Sequence, residues 1–418
     1  MRRLDASRTW LVYRGGESFA MAVGWTMAPI YFVQDVGMSP LQLVLAGTAL
    51  EIGYFLFEVP TGVVADVYSR RASVIVAQFV MGAGFVITGL VANVPVILLA
   101  AGLMGFGWTF KSGAVDAWLA DEIGPDRLSG AYQRGAQTGR AGSLLGIAAA
   151  VALALADLRA PIVAGGLVLF VLGALLVVAM PETGFRRATR DDLSTVRSMI
   201  TTARRGGRLM RSRPILLFIL GITFFGGLSS EGLDRLWEAH FLRDVGVPEL
   251  AGLDPIVWFG VLNAGALVLA IVVAQPLVRR FERASHRGLA ASLLAFDVGL
   301  LCATLVFALA GSFALAVAAY WGIRVAGSLA GPVYATWLNA SIDDSSVRAT
   351  VISMTHLGDS VGEWGGGPAL GVVGNVYGIR TALAAGAVAL SPALLLYVLA
   401  LRHGGRERGL EALPQPAE

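Results

Sequence analysis

The residues Gly62-Val-Val-Ala-Asp66-Val-Tyr-Ser-Arg70-Arg71 form a short charged island between two long apolar runs. Each flanking run reaches the roughly 20 residues that cross about 30 Å of hydrocarbon at ~1.5 Å per residue. The island is therefore a tight turn at a membrane face. Gly62 permits a close helix approach, Asp66 sits where a helix ends, and the paired arginines suit the cytoplasmic side.

The same pattern continues in both directions. Hydrophobic residues make up 56% of the 418-residue chain and charged residues 15%, whereas a soluble domain carries about 25% charged. Apolar blocks of roughly 20–25 residues recur, and alternating ten-residue strands are absent, which argues for membrane helices and against a membrane barrel. The first apolar run is too long for a cleaved signal and is read as a retained first helix. Cys302 is the single cysteine, so neither an intrachain disulfide nor a thiolate cluster is expected. No Gly-x-x-x-x-Gly-Lys-Ser/Thr loop occurs, which disfavours ATP-driven pumping. The histidines at 240, 286, 356 and 403 are scattered. With no metal spacing and no nucleophile set, neither an enzyme, a metal nor a cofactor is expected.

Twelve transmembrane helices are predicted, the fourth over about 95–120. Arginines set their orientation. One set of faces holds Arg2, Arg3, Arg8, Arg70, Arg71, Arg127, nine arginines from Arg186 to Arg213, and further ones near 280, 348 and 405. The other holds Arg159, Arg243 and Arg380. By the positive-inside rule both termini are cytoplasmic in an inner (plasma) membrane. This use of the basic residues removes the case for nucleic acid. The division is a six-helix bundle at 1–181, a basic linker at 182–213, a second bundle at 214–402 and a tail at 403–418. An internal repeat supports it: Gly113-Ala-Val-Asp-Ala-Trp-Leu119 returns as Gly331-Pro-Val-Tyr-Ala-Thr-Trp-Leu338. Two pseudo-symmetric six-helix halves are a known transporter plan.

The island, with Gly62, Asp66 four residues on and the Arg70–Arg71 pair, resembles the loop signature of the major facilitator superfamily. Val67 and Ser69 depart from that signature. Phe57-Glu-Val-Pro-Thr-Gly62, Ser112-Gly-Ala-Val-Asp-Ala-Trp118 and Gly365-Gly-Gly-Pro-Ala-Leu-Gly371 resemble its drug:proton antiporter branches. Gly139-Arg-Ala-Gly-Ser-Leu-Leu-Gly146 lacks the proline those branches carry in the fifth helix. The resemblance implies alternating access by a monomer, with Gly62, Asp66, Arg70 and Arg71 as a gating loop. Basic residues at such a turn also serve topology alone.

Transport chemistry is sought among ionisable residues in the spans, because each costs about 2.5–3.5 kcal/mol at a helix centre. Ten acids face six bases there. The surplus fits carriage of protons, attraction of a cationic substrate, or both. Glu17, Glu51, Asp116, Glu231 and Asp359 are the proton-coupling candidates. Arg14, Lys111, Arg140 and Arg324 are their charge partners. Arg14 and Glu17 can pair at i,i+3. Lys111, the one lysine beside 31 arginines, sits awkwardly for Asp116 and is expected to reach a carboxylate on another helix. Tyr54, Trp108, Tyr334, Trp337 and Trp364 are candidates for lining a substrate cavity, since aromatic faces hold cations and flat apolar molecules. The sequence supports a proton-coupled exporter of small amphiphilic or cationic compounds. A proton-coupled importer of a small metabolite is the alternative.

Overall fold

The computed structural model describes residues 5–186, 207, 214–249, 252, 254–281, 284–342 and 348–411. Most of the basic linker and the end of the tail lie outside the described residues, as do the side chains of Arg279 and Arg280.

All regular structure among the described residues is helical. In the first part of the chain α1 is Ala6–Gln34, α2 Pro40–Val67, α3 Arg70–Leu90, α4 Val94–Lys111, α5 Ala114–Ile123, α6 Pro125–Ala154 and α7 Arg159–Ala179. In the second, α8 is Pro214–His240, running into a π-helical turn at Phe241–Val245. It is followed by α9 Val257–Phe281, α10 His286–Ala308, α11 Phe313–Ala340, α12 Arg348–Tyr377, α13 Ile379–Ala389 and α14 Ser391–Glu411. Counting α4–α5 and α13–α14 each as one interrupted helix gives the twelve expected spans. Eight are apolar and long enough to cross a membrane by length and composition. Three of the others, α1, α6 and α12, carry glycines and charged residues where the eight carry leucine and valine.

Local chemistry explains the boundaries. Asp5, Ser39, Ser69, Asn93, Ser285 and Ser312 each place a side-chain oxygen on a backbone N–H in the first turn of a helix. These groups satisfy donors that a helix start leaves unpaired. Ser39 and Gln42 complete a reciprocal capping box ahead of α2, with Pro40 in the first turn.

The contacts cluster into two compact units, Met1–Leu193 with Val247–Leu267, and Ser194–Gly246 with Val268–Glu418. In the first unit α1 packs along α6 and α7, α2 along α4, and α3 against α4 and α7. In the second α8 packs along α12, α13 and α14, and α10 against α11, α13 and α14. The pairing of the first, third, fourth and sixth spans is thus repeated. Both units bring their first and fifth spans together at glycines. A Cβ on Gly142 would overlap the carbonyl of Gly15, and one on Gly362 would overlap that of Phe224. Helices that gain little from apolar burial in lipid associate through such backbone approach. Each unit has its own apolar core, around Trp10, Val74, Trp118 and Leu176 in the first and Leu216, Val333, Trp337 and Tyr397 in the second.

Candidate functional site

The fourth span is not the continuous helix expected over 95–120. It breaks at Ser112–Gly113, between α4 and α5. Gly113 has φ +68° and ψ −37°. The Ala114 N–H donates to the Ser112 carbonyl at 2.7 Å. This is a γ-turn of the rare positive-φ kind, and only glycine holds it without side-chain strain.

The break gathers a polar cluster. Lys111, the last residue of α4, is buried and donates to Glu17 Oε1 at 2.6 Å. Glu17 lies on α1 and is 4% exposed. Its other oxygen is 3.6 Å from Arg14. Tyr13, also buried, is next to the same carboxylate. The Lys111 ammonium stands 3.5 Å above the Trp108 ring, a geometry that stabilises a desolvated cation. Ser112 donates to Glu58 Oε1 on α2 at 2.9 Å, and the Tyr54 hydroxyl is 3.3 Å from Ser112 Oγ. The second oxygen of Glu58 is buried and has no hydrogen-bond partner among the described residues. Two helices and a broken third thus converge on two carboxylates, a lysine, an arginine and three hydroxyls.

The remaining candidates are dispersed. Glu51 is half-buried on α2, near Tyr54. Asp116 is exposed in the first turn of α5 and interacts with Tyr132 of α6. The break puts Asp116 and Lys111 on different helices. Arg140 is exposed and has no ion-pair partner among the described residues. In the second unit Glu231 is buried and pairs with Arg235 one turn on, at 3.0 Å. Arg324 of α11 pairs with Asp234 at 3.2 Å, both side chains nearly half exposed. Asp359 lies against Gly227 of α8, beside His356. Tyr334 and Trp364 are half-buried. Trp337 is fully buried in the core of its unit and donates to His286 at 3.2 Å. That packing accounts for Trp337 and removes it from a cavity lining.

The island is held by a second polar network. Arg70 pairs with Asp66 at 3.3 Å, donates to the Ala117 carbonyl at 3.2 Å and contacts the Asp121 carboxylate. The Arg71 guanidinium donates to the Val177 carbonyl. Glu182, just after α7, accepts the Arg71 backbone N–H at 2.9 Å and the Ser69 hydroxyl at 2.7 Å. A carboxylate there complements the positive end of α3. Glu122 accepts from Thr183 and Gly184, and Trp118 donates to the Pro181 carbonyl at 2.7 Å. Sequence reasoning missed Ser112, Glu122 and Glu182. Glu51 and Glu58, both on α2, share one face of that helix by their spacing.

Twelve helical units in two repeating sets, with a buried ion pair beside a broken helix, define a multi-pass membrane transporter. The chain belongs to the Major Facilitator Superfamily, whose family model it matches over residues 16–363. It is 22% identical over 361 residues to the "Uncharacterized MFS-type transporter YxaM" of Bacillus subtilis (strain 168), covering 86% of this chain and 87% of that one. It is 24% identical over 257 residues to "Sugar transport protein 5" of Arabidopsis thaliana, covering 51% and 49% of the two chains. Among solved structures it resembles the nucleoside transporter NupG, with TM-score 0.73, 11% identity, and coverage of 95% and 99%. It also resembles a bacterial homologue of the human lysosomal transporter Spinster, with TM-score 0.74, 16% identity, and coverage of 99% and 98%. The protein is a secondary transporter, not an enzyme, and a small-molecule substrate is expected of it.

Proposed function

We propose that this transporter is proton-coupled and exports small amphiphilic or cationic compounds by alternating access across the inner membrane, with both termini cytoplasmic. The observation that carries the coupling is the Glu17–Lys111 pair. Both side chains are buried and lie 2.6 Å apart, so each is the other's charge partner. A proton arriving at Glu17 removes the partner of Lys111 and changes the pattern of contacts between α1 and α4. A change confined to one protonation state biases the state of the whole protein only through such differential contacts. Cation preference is supported by the half-buried Glu51 and exposed Asp116 near the break and by the partly exposed ring of Trp108.

The test uses purified protein in proteoliposomes with an imposed pH gradient and a panel of organic cations. Gradient-driven accumulation in wild type, lost in Glu17→Gln with substrate binding retained, is the expected result. Transport of equal rate with and without the gradient removes proton coupling. Import of a small polar metabolite is the second reading. It draws on the paired hydroxyls of Tyr54 and Ser112 at the break and on similar proteins named as sugar, nucleoside and peptide transporters. Uptake assays in whole cells separate the two by sign: depletion supports export, accumulation supports import.

A further inference from the structure

Glu58 is a half-buried acid at the break with one carboxylate oxygen engaged by Ser112. Its Oε1 accepts from Ser112, while Oε2 is buried and has no donor within hydrogen-bond distance among the described residues, the Tyr54 hydroxyl lying beside the carboxylate. A buried carboxylate oxygen without a donor is costly, which favours any arrangement of the neighbouring groups that supplies one. A substrate cannot reach an oxygen already covered by protein. A cation stands next to it in the chain: Lys111 immediately precedes Ser112, the residue on which Glu58 rests. The lysine has four flexible methylenes and three donors, which suits an ammonium that changes partners better than a rigid guanidinium would.

We propose that Lys111 has two carboxylate stations, Glu17 on α1 and Glu58 on α2, and that Glu58 is the positioning residue that receives the ammonium when Glu17 takes a proton. The proposal rests on Glu17 as the coupling acid. The charge balances: the proton neutralises Glu17, Lys111 keeps its charge, and the ion pair re-forms with Glu58. Other charged or titratable groups flank each station. Arg14 and Tyr13 face Glu17, and Tyr54 and Glu51 lie near Glu58. Asp116 begins α5 across the break. Arg14, at 3.6 Å and 37% exposed, remains beside Glu17 after the lysine leaves.

Because Lys111 is the only lysine, protein labelled with ¹⁵N-lysine gives a single Nζ resonance from the whole chain. In Glu17→Gln that resonance is expected to move but to remain an ordered, exchange-protected ammonium. In Glu17→Gln/Glu58→Gln it is expected to broaden or vanish by solvent exchange. Glu58→Gln alone should leave it near its wild-type position. Coincident spectra of Glu17→Gln and Glu17→Gln/Glu58→Gln would overturn the proposal. If the doubly neutralised variant does not fold, Glu17→Gln is compared with Glu17→Gln/Glu58→Asp. A shifted but still protected signal supports the second station, and an unchanged one sinks it. Proton-driven transport surviving in Glu17→Gln would remove Glu17 as coupling acid whatever the lysine signal does.

Discussion

Gly113–Leu119 and Gly331–Leu338 share a glycine, a valine, an alanine and a Trp-Leu pair, yet the backbone breaks in the first copy and runs through the second. The proline is in the unbroken copy. Within α11, Pro332 lacks an N–H, and hydroxyls on either side engage the backbone: Ser328 donates to the Val325 carbonyl at 2.8 Å and Thr336 to the Pro332 carbonyl at 2.9 Å. In the first copy Ser112 instead turns outward to Glu58, and Gly113 takes a positive φ. In the repeat, Lys111 and Asp116 correspond to Leu329 and Tyr334, so the second copy has neither charge. A helix break here follows the polar groups that claim the backbone's neighbours, more than the residue that disfavours a helix.

That contrast can be attacked in four places. The largest effect is expected from Lys111→Met. It leaves a buried Glu17 with Arg14 at 3.6 Å and the neighbouring Tyr13, and breaking a buried pair by removing one partner costs about 3–5 kcal/mol. A large drop in melting temperature in detergent checks it. Glu17→Gln/Lys111→Met should recover much of the loss. A melting temperature for Lys111→Met equal to that of wild type would mean the pair is not the centre of the first unit.

Gly113→Ala comes next. An L-residue at φ +68° costs on the order of 1–3 kcal/mol, and the variant should favour a continuous fourth span. Gly331→Ala should be nearly silent, since nothing lies within 4 Å of the added carbon. Equal losses of stability in the two would erase the distinction between the copies.

Glu182→Gln removes a charged acceptor from the start of α3, for a loss of about 0.5–2 kcal/mol. The smallest effect is expected from Arg324→Gln. Its pair with Asp234 is nearly half exposed, so about 0–1 kcal/mol is expected. Paired denaturation of Lys111→Met and Arg324→Gln measures how differently the two units use their charges. A loss in Arg324→Gln matching that in Lys111→Met would contradict the exposure of that pair.

The sequence made some of this legible and hid the rest for physical reasons. Apolar block length and arginine placement gave the spans, because a bilayer has one thickness and one basic side. The Arg14–Glu17 pair follows from i,i+3 spacing on one helix. The partner of Lys111 required tertiary structure: Glu17 lies 94 positions away, and spacing says only that it is not Asp116. The break was hidden because proline marks the wrong copy and a glycine's choice of φ is made by its surroundings. Ser112 is drawn out by Glu58, 54 residues earlier. Glu182 was invisible as a cap because it serves a helix start 111 residues before it. Trp337 looked like a cavity residue because composition does not distinguish a core indole from a lining one.

The ten residues of α5 lie between two positive-φ glycines, Gly113 and Gly124, at +68° and +78°. They form a short rod with a joint at either end. One joint sits beside the lysine and the two carboxylates. Along its length the rod is gripped from outside: Arg70 holds Ala117 and Asp121, Pro181 takes the Trp118 indole, and Glu122 takes the backbone after α7. The rod thus meets the polar cluster at one end and the charged island and the chain after α7 along its length. The buried ion pair and the charged island are therefore parts of one linkage, joined by a single ten-residue helix.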